Sequence, residues 1–270
     1  MPRPAWFDDL FSLRQPVSPS WAQVLAGTCL MGLAFAWFIA TIGAAEERLI
    51  SPAVLPSPGE VIGSIGSLVT ERDLFSSILA TMGRVLLGFG LAILVAVPLG
   101  VAAGSWRAIE AFLKPIVTAG RNLPVAALIP LTVLWFGIYE QQKVMFIFIA
   151  SAPFVFADAS AAILGVHERY VDTARTLGAS DKQIVLKVLL PLALPDIFRS
   201  LRSLFGLAFG YIMLAELINA PQGLGAMLNV SQRRGLTEHI FLILLVIGLL
   251  AWTIDHSLGW LEKKLFPYRQ

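Results

Sequence analysis

Long apolar runs alternate with short polar stretches along this chain, and six runs are long enough to cross a hydrocarbon core needing roughly 20 residues. They lie at 21–43, 85–103, 112–137, 144–166, 201–220 and 240–258. None alternates with a two-residue period over ten-residue units, which excludes a membrane β-barrel. The expected class is therefore an all-α integral membrane protein. Between the fourth and fifth runs the pattern changes. Val166, Tyr170, Ala174 and Leu177 share one helical face, while Arg169, Asp172, Arg175 and Thr176 share the other. That spacing predicts a short amphipathic helix. Gly178 supplies the freedom to end it. Ser180 and Gln183 have capping-box spacing and predict a second short helix. Pro191 and Pro195 are expected to bound the segment on its far side.

Two further stretches interrupt the apolar pattern. From 46 to 81 the chain carries Ser51-Pro52 and then Leu55-Pro56-Ser57-Pro58-Gly59-Glu60, an extended proline-rich stretch suited to an external loop. A short interfacial helix is expected after it, over 61–69. Inside the third run stands Arg121-Asn122-Leu123-Pro124, with Pro130 six residues further on. Two such prolines kink or unwind a helix. Irregular backbone at membrane depth survives only where protein buries it or water reaches it. This run is either path-lining or a kink that shapes packing.

Hydrophobic residues make up 57% of the chain and charged residues 14%, with mean hydropathy +0.75. The charged share falls well below the roughly 25% of soluble domains. A signal peptide needs a shorter apolar region, so the run at 21–43 is read as an uncleaved span despite Gly43-Ala44-Ala45 after it. Cys29, the single cysteine, sits within that span and is expected to be a buried apolar thiol. Thirteen Lys and Arg residues, among them Arg3, Arg14, Arg107, Arg175 and Arg269, fall on the N-terminal tail, the 104–114 and 166–202 loops and the C-terminal tail. Five fall on the alternate loops: Arg48, Arg72, Lys143, Arg233 and Arg234. Both termini and the 166–191 elbow are therefore expected on the cytoplasmic side. The net charge of +2 follows from this bias and makes no case for nucleic-acid binding.

The sequence contains no GxxxxGK[ST], no HExxH and no G-x-S-x-G, so no catalytic residue, metal ligand or nucleotide-binding loop is assigned. Arg84, Arg121, Asp158, Glu216 and Asp255 stand within or beside the spans, where an ionisable group is costly. Arg84 and Asp255 lie near span ends, where snorkelling or interfacial pairing accounts for them. Arg121 sits beside the proline break, where its fork would suit an oxyanion. The alternative is an ion pair of Arg121 with Asp158 or Glu216. Gly100 and Gly104, and Gly206 and Gly210, have the spacing of close helix packing, within the chain or between copies.

The elbow Asp172-Thr173-Ala174, Gly178, Val188-Leu189-Leu190-Pro191 resembles the cytoplasmic-loop signature of ABC importer permeases. Asp172 and Thr173 stand where the family usually has Glu and Ala. Leu-Pro-Ser-Pro before the second span, the Arg121–Leu131 run through Glu140 and Lys143, and Ala215-Glu216-Leu217-Ile218-Asn219-Ala220 with Gly223-Leu224-Gly225 resemble the nitrate, sulfonate, taurine or bicarbonate branch. The likeness runs from about Leu55 to Glu262.

That resemblance implies six transmembrane helices of the type I importer kind, with a coupling-helix elbow between the fourth and fifth. The chain then divides into a tail (1–20), a first helix (21–45), an external loop (46–81), a core permease domain (82–262) and a second tail (263–270). It implies that Tyr170, Asp172, Ala174, Arg175, Leu177, Gly178 and Ala179 meet a separate ATPase subunit, which binds ATP and Mg. Arg121, Asn122, Pro124, Pro130 and Glu216 are the expected path residues. The implied partners are a second copy of the chain, two ATPase subunits, a periplasmic or lipid-anchored solute-binding protein, and lipid of a bacterial inner membrane. The implied function is import of a small anion by alternating access, with an ion-coupled secondary transporter as the alternative.

Overall fold

Prolines, glycines and capping side chains cut this chain into helices whose boundaries differ from the apolar runs. The computed structural model describes residues 13, 15, 17–46, 48, 50–218 and 220–269. Arg3, Arg14, Asn219 and the side chain of Arg269 lie outside the described residues. The described elements are helices and turns. In chain order they are α1 (Pro19–Ala40), α2 (Pro58–Gly63), α3 (Ile65–Thr70), α4 (Leu74–Ser105), α5 (Arg107–Asn122), α6 (Leu128–Phe136) and α7 (Glu140–Leu164). These continue with α8 (Glu168–Thr176), α9 (Asp181–Ile184), α10 (Leu190–Glu216), α11 (Leu224–Arg233) and α12 (Thr237–Leu265).

Among the described residues, α1, α4, α7 and α12 are long and apolar enough to span a bilayer, and α5 with the segment ending at Phe136 adds a fifth if counted as one. The expected fifth span falls inside α10, which is 27 residues long but carries Asp196, Arg199, Arg202 and Glu216. The structure thus supports four or five apolar spans plus one charged helix of spanning length.

The core is built around α4 and α7, whose contact is the most extensive in the molecule, with α10 packed next against α7. Glycines make the approach possible. A Cβ on Gly88 would lie 2.6 Å from the Val144 carbonyl, one on Gly100 2.6 Å from that of Phe156, and one on Gly104 2.7 Å from Ile163 Cβ. Gly100 and Gly104 therefore pack within the chain. Gly206 and Gly210 on α10 meet nothing within 4 Å.

No residue of α1 is buried. Its elbow-distal end is pinned by Trp37 Nε1 donating to the Pro56 carbonyl at 2.8 Å and by Trp37 stacking on Phe241. Cys29 is exposed, correcting the buried thiol expected from sequence, since no residue of α1 is buried in the chain. The expected interfacial helix at 61–69 is two shorter ones. Pro58 starts α2, with Ser57 Oγ accepting from the Glu60 amide at 3.3 Å and Glu60 accepting from the Ser57 amide at 2.7 Å. Arg48 grips Glu60 through two bonds of 3.0 and 3.1 Å.

Candidate functional site

Three arrangements bear on function: the elbow, the proline break and a buried charge cluster. In the elbow, α8 ends in a complete Schellman motif. Gly178 has φ +80°, its amide donates to the Arg175 carbonyl at 2.9 Å, and the Ala179 amide donates to that of Ala174 at 3.0 Å. Gln183 Oε1 then accepts from the Ser180 amide at 2.9 Å, opening α9. Tyr170, Asp172, Ala174, Arg175, Leu177, Gly178 and Ala179 all gather on α8 and its cap. Only Ala174 is buried; Leu177 is 82% exposed.

The far side of the elbow departs from expectation. Pro191 and Pro195 do not bound it. A π-helical turn, Val185–Leu189, joins α9 directly to α10, and Pro191 lies in the first turn of α10 with Pro195 inside it. The π-helical turn before Pro191 takes up its missing amide and the bulk of its ring, so the helix runs on. The result is one helical arm from 181 to 216, roughly 50 Å at 1.5 Å per residue.

The break in the third run is sharp. Pro124 drives Leu123 to ψ 132°, which ends α5 at Asn122, and the chain resumes through a 3₁₀ turn into α6. The two parts are bent by 94°. Arg121, Asn122 and Pro124 stand exposed at the bend. Pro130 does not contribute to the break, since it occupies the first turn of α6. Arg121 lies 5.5 Å from the centre of the Phe154 ring. Among the described residues no ion pair joins it to Asp158 or Glu216.

Glu216 lies elsewhere, in a cluster where α4, α7 and α10 meet. Arg84 Nη1 donates to Glu216 at 2.6 Å and to the Gln222 carbonyl at 2.7 Å. The other edge of the same guanidinium binds Glu140 through bonds of 2.6 and 2.7 Å. Thr81 Oγ1 and the Gly225 amide complete the cage around Glu216, at 2.8 and 2.9 Å. The glycine-rich segment after α10 is shaped by this carboxylate. Gly223 has φ +134°, and a Cβ there would come within 2.5 Å of the Glu216 carboxyl. Lys143, fully buried, reaches toward Glu140 at 3.9 Å.

Arg84 is thus no snorkelling residue at a span's edge. Helix α4 starts at Leu74, eleven residues before the apolar run, so Arg84 stands well inside it and is 5% exposed. Sequence reasoning missed Arg84 with Glu140 and Lys143 as one unit because Arg84 stands on α4 and the other two at the start of α7. Glu216 followed by Gly223 and Gly225 was the available signal for a caged carboxylate. Asp255 does pair, with Arg202 through two bonds of 2.6 Å.

The family model for the binding-protein-dependent transport system inner membrane component matches residues 88–267. The chain is 32% identical over 247 residues to the taurine transport system permease protein TauC of Escherichia coli (strain K12), covering 90% of this chain and 88% of that one. It is 29% identical over 221 residues to the putative aliphatic sulfonates transport permease protein SsuC of Bacillus subtilis (strain 168), covering 82% and 80%. Among solved structures, an inward-facing MetNI methionine ABC transporter superposes with TM-score 0.63 at 20% identity, covering 72% of this chain and 98% of that one. At that identity the likeness shows a shared fold.

Proposed function

The chain belongs to the binding-protein-dependent transport system inner membrane components, and on that premise we propose that it is one membrane half of an ATP-driven importer for a small sulfonate or related oxyanion. Two copies enclose the path. Each elbow docks on a cytoplasmic ATPase subunit that binds ATP and Mg, and an external solute-binding protein delivers the substrate. Both termini lie in the cytoplasm, lipid surrounds the outward helices, and the chain divides at about residues 20, 45, 81 and 262 as its sequence implies. The family match does not favour an ion-coupled secondary transporter.

The observation that carries this reading is the mechanical continuity of the elbow. The exposed α8 is locked to α9 by the Gly178 cap, and α9 runs without a break into α10. A push on α8 therefore moves the far end of α10 and the charge cluster at Glu216. Tyr170, Asp172, Arg175 and Leu177, exposed around α8 and its cap, are the side chains the ATPase grips, and Arg121, Asn122 and Pro124 line the path at the bend. The taurine and sulfonate relatives support the substrate class.

Proteoliposomes holding the chain with its ATPase and binding protein test it. Taurine uptake should require internal ATP and fail when the ATPase is omitted, with nitrate and bicarbonate as parallel substrates. Uptake driven by an ion gradient without the ATPase would overturn the assignment.

A further inference from the structure

The charge cluster holds its two carboxylates very differently. Glu216 is enclosed: its side chain is 0% exposed and held by Thr81, Arg84 and the Gly225 amide. Glu140 is the first residue of α7, three residues past Gly137 with φ +71°, and its side chain is 58% exposed. Yet Glu140 occupies the best oxyanion position available, the paired Nε and Nη2 edge of a buried guanidinium. Beside it, Lys143 spends its three donors poorly. Its ammonium is fully buried and reaches the Ile138 and Tyr139 carbonyls only at 3.4 Å, beyond the usual range for such bonds.

We propose that Arg84 and Lys143 form an oxyanion site that Glu140 occupies as a removable internal substitute. Glu216 fixes Arg84 in place, and Glu140 swings away from the solvent side about the Gly137 turn. Two of a sulfonate's three oxygens present the same paired acceptors as a carboxylate, so a sulfonate takes the vacated edge. Lys143 then gains a strong acceptor. This deepens the importer reading and rests on its substrate class, because it names the residues that hold the anion on the elbow-distal side. It assigns that role to Arg84 in place of Arg121.

Removal of the substitute tests the site. The full-length chain carrying Glu140→Ala should melt at lower temperature than the wild type, because Arg84 loses its partner. Methanesulfonate or taurine should restore most of the lost Tm in a saturable way, while chloride at equal ionic strength should not. Arg84→Gln combined with Glu140→Ala should abolish the sulfonate response. Equal Tm curves for sulfonate and chloride, or a flat sulfonate titration, would overturn the proposal. If Glu140→Ala does not fold, Glu140→Gln undergoes the same titration, and a flat response there has the same force. ATP-driven uptake by the wild type is a separate readout. Rescue without uptake defeats the importer reading alone, and uptake without rescue defeats this site alone.

Discussion

At the scale of single residues, Arg84 and Glu216 set the terms. Removing one partner of a buried ion pair leaves an uncompensated charge and costs about 3–5 kcal/mol. Arg84→Ala should therefore destabilise the chain by that order, and Arg84→Lys should recover only part, since an ammonium cannot serve Glu140 and Glu216 at once. Thermal unfolding of the purified variants checks both. Gly223→Ala should be at least as harmful, because a Cβ there overlaps the Glu216 carboxyl and the backbone sits at φ +134°. Near-wild-type melting of Gly223→Ala would show that the cage relaxes. On the external loop, the Arg48 hydrogen bonds, followed by the Ser57 amide, lower the Glu60 pKa from 4.5 to about 2. A depressed carboxylate pKa adds stability that is complete above the unfolded value and lost as pH falls through the folded one. Amide protection of α2 should thus hold from pH 7 to 5 and fade between about 4.5 and 2, by hydrogen exchange. Protection already lost at pH 5 would contradict this.

At the scale of elements, the elbow and the break show opposite uses of proline. At Pro124 the preceding Leu123 leaves the helix for an extended ψ of 132°, whereas Pro98, Pro115 and Pro153 stay inside unbroken helices. Pro191 and Pro195 leave the arm intact, the π turn before Pro191 absorbing the local mismatch. Gly178 is the other hinge of the elbow. Its φ of +80° costs a branched residue roughly 1–2 kcal/mol, while no atom lies near enough to clash. Gly178→Val should therefore leave the spans folded and spoil the angle between α8 and α9. Membrane insertion stays intact while transport and substrate-stimulated ATP hydrolysis fall together. Full coupling in that variant would separate the elbow from the ATPase.

At the scale of the whole molecule, Gly88, Gly100 and Gly104 on α4 are already used against α7, whereas Gly206 and Gly210 on α10 face open space. Single cysteines beside Gly206 and Gly210, in a Cys29-free background, should cross-link two copies of the chain. Native mass measurement should find two copies with two ATPase subunits. A complex with one copy and no partner permease would remove the dimer.

Class, most of the spans and the near side of the elbow were legible in the sequence because they depend on local periodicity: apolar runs, a 3.6-residue amphipathic repeat, a glycine at a helix end. The break at Pro124 was legible for the same reason, since proline acts on its immediate neighbour. The partners of the charges were not. Arg84, Glu140 and Glu216 are 56 and 132 residues apart along the chain in their pairings, and no local rule joins them. Only the packing of α4 on α7, allowed by Gly88, Gly100 and Gly104, brings Arg84 to Glu140, and only the turn at Gly223 closes over Glu216. Pair formation is a matter of three-dimensional proximity, and the tertiary structure alone supplies that.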